Sequence, residues 1–373
     1  MAPRAKRTWI PPVWLVRPAV RFRNALGRLH GRMVPPPLLV MERMNGMVEA
    51  KVISLIAELA IPDRLAGGPR TAEDLAGEAG LDADALDRAL AFLVSRGLLG
   101  RRRDGRYANN PFSDTLRSDH PESMREWARF FASRWHWEMW NHAGHSLETG
   151  GSAAEPAFGA RFWEYLGARN PEAGATFNRA LAGTSRIAGP ILAKGYDFSG
   201  VRRLCDVGGG TGGMLAEVLE RHTSMRGVLF DLPEVVEQAR PALADRGLLD
   251  RVEIVGGSFF DHVPEGCDAY MLQAIIHDWD DESCVTILSR CREAMAAGAR
   301  ILVIENVLGP SPSSADQFAR SFDLVMLVTS GLGRERSKTQ FGSLFARAGL
   351  RIRRDVTLPS LFHVLELEAD HST

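Results

Sequence analysis

The period of hydrophobic and polar positions changes near residue 203, and that change divides the chain. Before it, apolar residues recur at spacings of three and four, as on one face of a helix. Met44, Met47, Val48, Val52, Leu55, Ile56 and Leu59 carry this spacing and predict one long helix over 38–59. Thr71 opens a second helix as its N-cap, with Asp74 at the capping-box position where Glu or Gln is usual, and Gly80 ends it. Residues 82–96 form a third, with Leu86, Leu90, Leu93 and Val94 inward. Residues 101–107 then read as a hairpin turning at Asp104-Gly105. Helix, helix and hairpin in this order make a winged-helix pattern. The stretch 123–149 is helical and rich in rings (Trp127, Phe130, Phe131, Trp135, Trp137, Trp140), with His136, His142 and His145 among them. It reads as core or as the wall of an apolar pocket. Residues 144–158 read as a Gly/Ala/Ser loop, and Phe162-Trp163 and Phe177 to Leu181 fall on two further helices.

After 203, short apolar runs alternate with helices. The predicted strands are 203–207, 227–231, 252–255, 269–273 and 300–307, and the helices between them 212–221, 233–244 and 281–296. Such alternation makes a parallel sheet covered on both faces. A helix over 315–328, another over 339–348, and an antiparallel pair formed by 350–358 and 362–368 complete the pattern. With 373 residues there is room for two cores.

Composition alters this picture only locally. A net charge of −1 exerts no general pull toward nucleic acid or membrane. The exposed face of 82–96 offers Asp82, Asp84 and Asp87 against Arg88 and Arg96, a face that repels phosphates, so no nucleic-acid partner is expected. Cys205, Cys267, Cys284 and Cys291 form no C-x-x-C pair, which points to free thiols in a reducing cytoplasm and to no metal. No apolar run approaches the roughly 18–20 residues that span a bilayer. The exception is the N-terminus, where residues 1–40 carry eight Lys or Arg, no Asp or Glu, and Trp9 and Trp14. Prolines 11, 12, 18 and 35–37 are expected to break any long helix there, leaving an arm outside the fold. A weak contact of residues 1–34 with an anionic membrane surface is the second reading.

Leu204 to Gly213 read as a buried strand, a glycine turn and the start of a helix. Gly208, Gly210 and Gly213 also satisfy G-x-G-x-x-G. Small residues there let a ligand lie against the backbone beside a helix N-terminus, which suits a dinucleotide or S-adenosylmethionine alike. Asp231, ending the next strand, suits the ribose hydroxyls of either. Asp206, just before the turn, suits a cationic amino-acid or sulfonium group better than a pyrophosphate. His277, after a fourth strand, has no counterpart in the dinucleotide pattern. All three fall at carboxyl ends of strands, where open α/β sheets bind ligands.

The runs Asp206-Val-Gly-Gly-Gly-Thr-Gly212, Phe230-Asp-Leu-Pro233, Gly257-Ser-Phe-Phe-Asp261, His277-Asp-Trp-Asp280, Ile304-Glu305 and Gly333-Arg-Glu335-Arg336 occur in this order. In them the chain resembles the S-adenosylmethionine-dependent O-methyltransferases of the caffeate/hydroxyindole type and their bacterial small-molecule branch. The resemblance spans roughly 38–368. It implies a Rossmann-like α/β methyltransferase sheet over 196–373 and a helical, winged-helix-like dimerisation and acceptor-pocket domain over 38–195, with 1–37 as the arm. It implies a homodimer that is metal-independent and methylates a hydroxyl of an aromatic, polyketide-like or other lipophilic small molecule. His277 would be the general base, with Glu305 and Glu335 orienting it. Asp206, Gly208, Gly210, Asp231, Leu232 and Gln273 would hold the cofactor. Ser185 would stand near its amino-acid end, and Gly257, Ser258 and Phe259 would line the adenine. The acceptor would meet Phe177, Leu181, Met326 and Asp278. Three positions depart from the pattern: Ser258 replaces a frequent Asp, Gln273 stands near a frequent Lys or Arg, and Leu181 replaces a Met. The loss of charge at 258 is expected to weaken cofactor binding by roughly 1 kcal/mol. N- or C-methylation within the same family, and a ligand-sensing winged-helix regulator, are the alternatives.

Overall fold

The computed structural model describes residues 13–309, 317–360 and 362–370. Trp9 of the arm and the expected helix start at 315 lie outside the described residues. Two compact units form. One holds residues 27–141 and 164–184; the other holds 13–26, 142–163 and the rest from 185 onward.

In the first unit the expected helix over 38–59 is two helices, Pro36–Met44 and Gly46–Glu58. The break falls at Asn45-Gly46, a pair of poor helix formers that the apolar spacing alone does not register. Thr71 caps Ala72–Ala79 by accepting the Asp74 N–H at 3.1 Å, and Gly80 closes it at φ +68°. Asp82 caps Ala83–Ser95 in the same way. Leu86, Leu90 and Leu93 are buried, while Val94 is only half-buried. The hairpin pairs β1 (Gly100–Arg101) with β2 (Tyr107–Ala108), Arg101 opposite Tyr107. Tyr107 is buried and its hydroxyl donates to the Asp87 carboxylate at 2.7 Å. Phe130, Phe131, Trp135 and Trp140 surround His136. The Nδ1–H of His136 donates to the Phe131 carbonyl at 2.7 Å, and burial pushes its pKa down to about 4, so it is a neutral core histidine.

Two further expectations need correction. Val13–Met33 is one continuous helix that includes Pro18. A proline early in a helix forfeits one N–H bond but already holds the helical φ, so it need not end the helix. The expected loop over 144–158 is mostly helical, Ala143–Thr149 and Ala154–Phe158, leaving only 150–153 between them. That short link runs beside the second unit's helix Gln317–Thr329, where the Ala153 N–H donates to the Val328 carbonyl at 2.9 Å.

The second unit is built on an eight-stranded sheet. Its strands are β3 (Arg203–Val207), β4 (Arg226–Asp231), β5 (Val252–Gly256), β6 (Ala269–Gln273), β7 (Arg300–Leu308), β8 (Arg336–Ser337), β9 (Leu350–Thr357) and β10 (Phe362–Ala369). They lie in the order β5-β4-β3-β6-β7-β10-β9, with β8 paired to β7. The pairings from β5 through β7 are parallel, and β10 and β9 close the edge antiparallel. Apolar side chains cover both faces. Leu215, Leu219, Leu229 and Leu302 belong to one core, and Val228, Phe230, Ile287 and Phe341 to the other. All four cysteines are buried and free. Chain order reverses between β3 and β6, so the crevice beyond their carboxyl ends is the topological switch point where open α/β sheets hold ligands.

Candidate active site

Two turns leave the sheet at that switch point. The first follows β3. Gly208, Gly210 and Gly212 take φ of +70°, +58° and +76°, a region that costs side-chain-bearing residues free energy. The N–H of Gly208 donates to the Phe230 carbonyl at 2.8 Å, binding the turn to β4. Asp231, at the end of β4, accepts the Gly210 N–H at 2.8 Å and the Leu232 N–H at 2.7 Å. Its carboxylate thus braces the glycine turn from the side. Gly212 begins the helix Gly213–Arg221 without a side-chain cap, and a Cβ on Gly213 would stand 3.2 Å from the Ser185 Cβ. A ligand laid on this turn meets a helix N-terminus, which favours negative or polar atoms.

Asp206 lies beneath the turn, buried, with its Oδ2 atom unpartnered. Burial, reinforced by the Asp231 carboxylate, pushes its pKa up to about 7. Burial also raises Asp231, against the two N–H bonds that favour its ionised form. An unsatisfied acid facing a glycine cradle fits a cationic ligand, which supplies the missing partner. Gly257 follows β5, and a Cβ there would meet the Phe230 ring at 2.7 Å. Ser258 uses its hydroxyl to accept the Phe260 N–H at 3.2 Å, and Phe259 packs edge-on against Trp279. Gln273 ends β6, half-buried. The cofactor candidates therefore gather along the carboxyl ends of β3 to β6, with Ser185 beside the first turn.

The second turn follows β6. Ala274 takes φ +53°, bending the chain off the strand into one tight turn, Ile276–Asp278. The two turns touch: a Cβ on Gly208 would stand 2.6 Å from Ile275 Cδ1. His277 is buried at the centre of the second turn. Its Nδ1 lies 3.3 Å from Glu305 Oε2 and 3.2 Å from Glu335 Oε1, and its Nε2 lies 3.6 Å from Asp278 Oδ1. Both glutamates are fully buried. Burial alone would lower the His277 pKa. The charges of Glu305 and Asp278 and the hydrogen bond and charge of Glu335 together outweigh it and lift the pKa to about 10. Burial raises Glu305 to about 7 and Asp278 to about 6, in each case against the pull of His277.

The expected trio of His277, Glu305 and Glu335 is thus one cluster, with Asp278 beside it. Met326 is buried on Gln317–Thr329. Phe177, half-buried against Phe130, and the exposed Leu181 belong to the helical unit. Sequence reading missed Asn306, whose Nδ2 donates to Glu335 Oε1 at 3.0 Å, and Asp323, which accepts the Glu335 N–H at 2.9 Å. Asn306 adjoins Glu305 in the chain; nothing in the local pattern marks Asp323.

At the switch point of the sheet an acid-braced glycine turn thus meets a carboxylate-flanked histidine, a ligand cradle beside a base. Comparison with known proteins gives the family. The O-methyltransferase domain family matches residues 140–351, and the O-methyltransferase dimerisation domain matches residues 41–119. The chain belongs to this O-methyltransferase family and is an S-adenosylmethionine-dependent enzyme. It is 39% identical over 316 residues to the mitomycin biosynthesis 6-O-methyltransferase of Streptomyces lavendulae, covering 84% of this chain and 88% of that one. It is 35% identical to the 8-amino-8-demethylriboflavin N,N-dimethyltransferase of Streptomyces davaonensis, covering 81% and 87%. Among solved structures it matches the O-methyltransferase NcsB1 of neocarzinostatin biosynthesis, in complex with S-adenosylmethionine and 2-hydroxy-5-methyl naphthoic acid. That match has a TM-score of 0.71 and 36% identity, and covers 86% of this chain and 96% of that one.

Proposed function

We propose that this enzyme methylates a hydroxyl on an aromatic or polyketide-like small molecule, with His277 as the general base. The observation that carries the reading is the burial of His277 between two buried carboxylates on its Nδ1 side. S-adenosylmethionine supplies an electrophilic methyl group on a sulfonium. The chain's residues must then hold the acceptor and take its proton. A phenol has a pKa of ~10, and an imidazole lifted to about 10 is matched to it, so proton transfer between them is nearly level in free energy. Glu305 and Glu335 hold Nδ1 as the donor side, leaving Nε2 to accept. Phe177, Leu181, Met326 and Asp278 are the proposed acceptor contacts. The naphthoic acid bound by the solved relative supports a planar acceptor.

The sign of the pH dependence follows. His277 must be neutral to accept a proton, and its pKa is raised. The base form is therefore scarce at pH 7 and grows as pH rises toward about 10. We expect kcat/KM for the acceptor to climb roughly tenfold per pH unit between 7 and 9. Glu335→Gln removes one raising charge and is expected to move this climb to lower pH; an unmoved profile counts against the role of Glu335. No step needs a metal, and turnover after exhaustive EDTA treatment is expected to stay within about twofold.

For the cofactor, Asp231, Asp206, Gly208, Gly210, Leu232, Gly257, Ser258, Phe259, Gln273 and Ser185 are the proposed contacts. Asp231→Ala is expected to weaken S-adenosylmethionine at least ~10-fold by calorimetry, since it removes both the turn's brace and a charged acceptor. Unchanged affinity would remove Asp231 from the site.

N-methylation is the second reading, because a relative acting on an amine is 35% identical. Paired aromatic acceptors differing only in OH against NH2 decide between them. A homodimer is proposed from the match at 41–119 and from the exposed Leu38, Met41, Met44, Met47 and Val48. Among the described residues no helix is long and apolar enough to cross a membrane, and a cytoplasmic location is part of the proposal. Membrane contact by residues 1–34 is checked by liposome co-sedimentation; equal binding by a chain lacking them retires it.

A further inference from the structure

The turn that carries His277 has no side-chain cap of its own. Its backbone groups are held from outside, on two sides. Three successive N–H groups go to one atom: Ile275, Ile276 and His277 donate to Glu305 Oε1 at 3.1, 2.9 and 3.2 Å, while the Asp278 N–H closes the turn on the Ile275 carbonyl at 3.1 Å. Its carbonyls go to the segment 333–336. The Arg334 N–H donates to the His277 carbonyl at 2.8 Å. The Arg336 guanidinium donates through Nη1 to the Ile276 carbonyl and through Nη2 to the Trp279 carbonyl, both at 2.9 Å. One planar fork therefore brackets His277, from the residue before it and from the second residue after it.

Arg336 is 1% exposed, a burial that costs free energy unless the charge has a partner. The partner is Asp281, which accepts Nε at 3.1 Å and Nη2 at 2.7 Å from the protein surface, at 49% exposure. Asp281 opens the helix Asp281–Ala294, directly after the turn. Arg336 also follows Glu335, the residue at His277 Nδ1, in the chain. The same short segment thus supplies a carboxylate to the imidazole and a fork to the backbone that carries it.

We propose that Arg336 is a positioning residue for the reaction. It touches no reacting atom. It sets the height and angle at which the turn presents His277 to Glu305 and Glu335, and so the direction of Nε2. Lysine cannot replace it, because one ammonium cannot span two carbonyls and a carboxylate in that plane. Catalysis is steeply sensitive to small misplacements of a reacting group. The groups around His277 are Asp278 on its own turn, Glu305 on β7, and Glu335 with Arg336 on the segment opposite. Cys284 on the following helix shares the load, its thiol donating to the Ile276 carbonyl at 3.2 Å.

The inference rests on the reading of His277 as base, and a double-mutant cycle on the full-length enzyme keeps the two apart. Arg336→Lys is expected to lower kcat roughly 10- to 100-fold, with the KM for acceptor and the Kd for S-adenosylmethionine changed less than about threefold. Introduced beside His277→Ala, Arg336→Lys is expected to cost less than about twofold more, because it acts only through the imidazole. Asp281→Asn, on the exposed partner, is expected to give a smaller loss of about three- to tenfold that also vanishes beside His277→Ala. It decides the matter if Arg336→Lys fails to fold. Full turnover in either soluble variant, or a loss of equal size with and without His277, overturns the proposal. Unchanged turnover in His277→Ala alone overturns the base reading instead.

Discussion

His277→Ala is expected to lower turnover on a hydroxyl acceptor at least ~10²-fold, the ordinary contribution of a positioned general base. Affinity for S-adenosylmethionine, measured by calorimetry, is expected to stay within about threefold. The imidazole is part of the second turn, whereas the glycine cradle is held by Asp231 and by the Phe230 carbonyl, neither of which the substitution touches. The residual activity is expected to depend on pH through the acceptor alone, since the pKa of about 10 belongs to the deleted group. An acceptor that already ionises near neutrality is expected to lose less than a simple phenol, because it needs no base. Equal losses for both acceptors would place His277 in binding rather than in proton transfer.

Glu305→Ala is expected to cost stability before it costs chemistry. Its Oε1 atom is the acceptor for three successive buried or half-buried N–H groups, at 275, 276 and 277. Stranding buried donors costs about 1–3 kcal/mol each, partly recovered where water enters, so a loss of about 3–5 kcal/mol is expected. For a unit of this size that lowers its thermal midpoint by roughly 6–20 °C. Glu305→Gln keeps an acceptor oxygen and is expected to fold with near-normal stability. It removes one of the charges that raise His277, so its pH–rate profile is expected to move downward. Calorimetry of the two variants separates the roles. If Ala and Gln destabilise equally, the N–H nest is not what Glu305 supports.

Much of the fold was legible because it is local. The change from helical to strand–helix alternation at 203, the capping Thr71, and the ends of β3, β4 and β6 follow from short-range spacing and side-chain chemistry, whereas the two-residue β8 left no such signal. The misreadings have two causes. At Pro18 and in the Gly/Ala/Ser run at 144–158 propensity predicts breaks that the surrounding structure overrides, whereas at Asn45-Gly46 the apolar spacing predicts a continuous helix and the poor helix formers break it. Of the candidate site, the glycine turn was visible from its residues, and Asp206 beneath it was visible as an acid. That Asp231 braces the turn through the Gly210 N–H was not, since 21 residues and a helix separate them.

The sequence by itself determined the strand ends, and with them the positions at which Asp206, Asp231 and His277 leave the sheet. Residue period and turn chemistry suffice for that, because each strand end is decided within a few neighbours. Only the tertiary structure decided what meets the imidazole. Glu305 and Glu335 stand 28 and 58 residues beyond His277, and they reach one nitrogen because β6 pairs with β7 and β7 with β8. It also decided that Glu305 holds backbone as well as ring, and that Arg336 closes the turn from the other side. Such contacts depend on which strands become neighbours, and hydrophobic period carries no record of that choice.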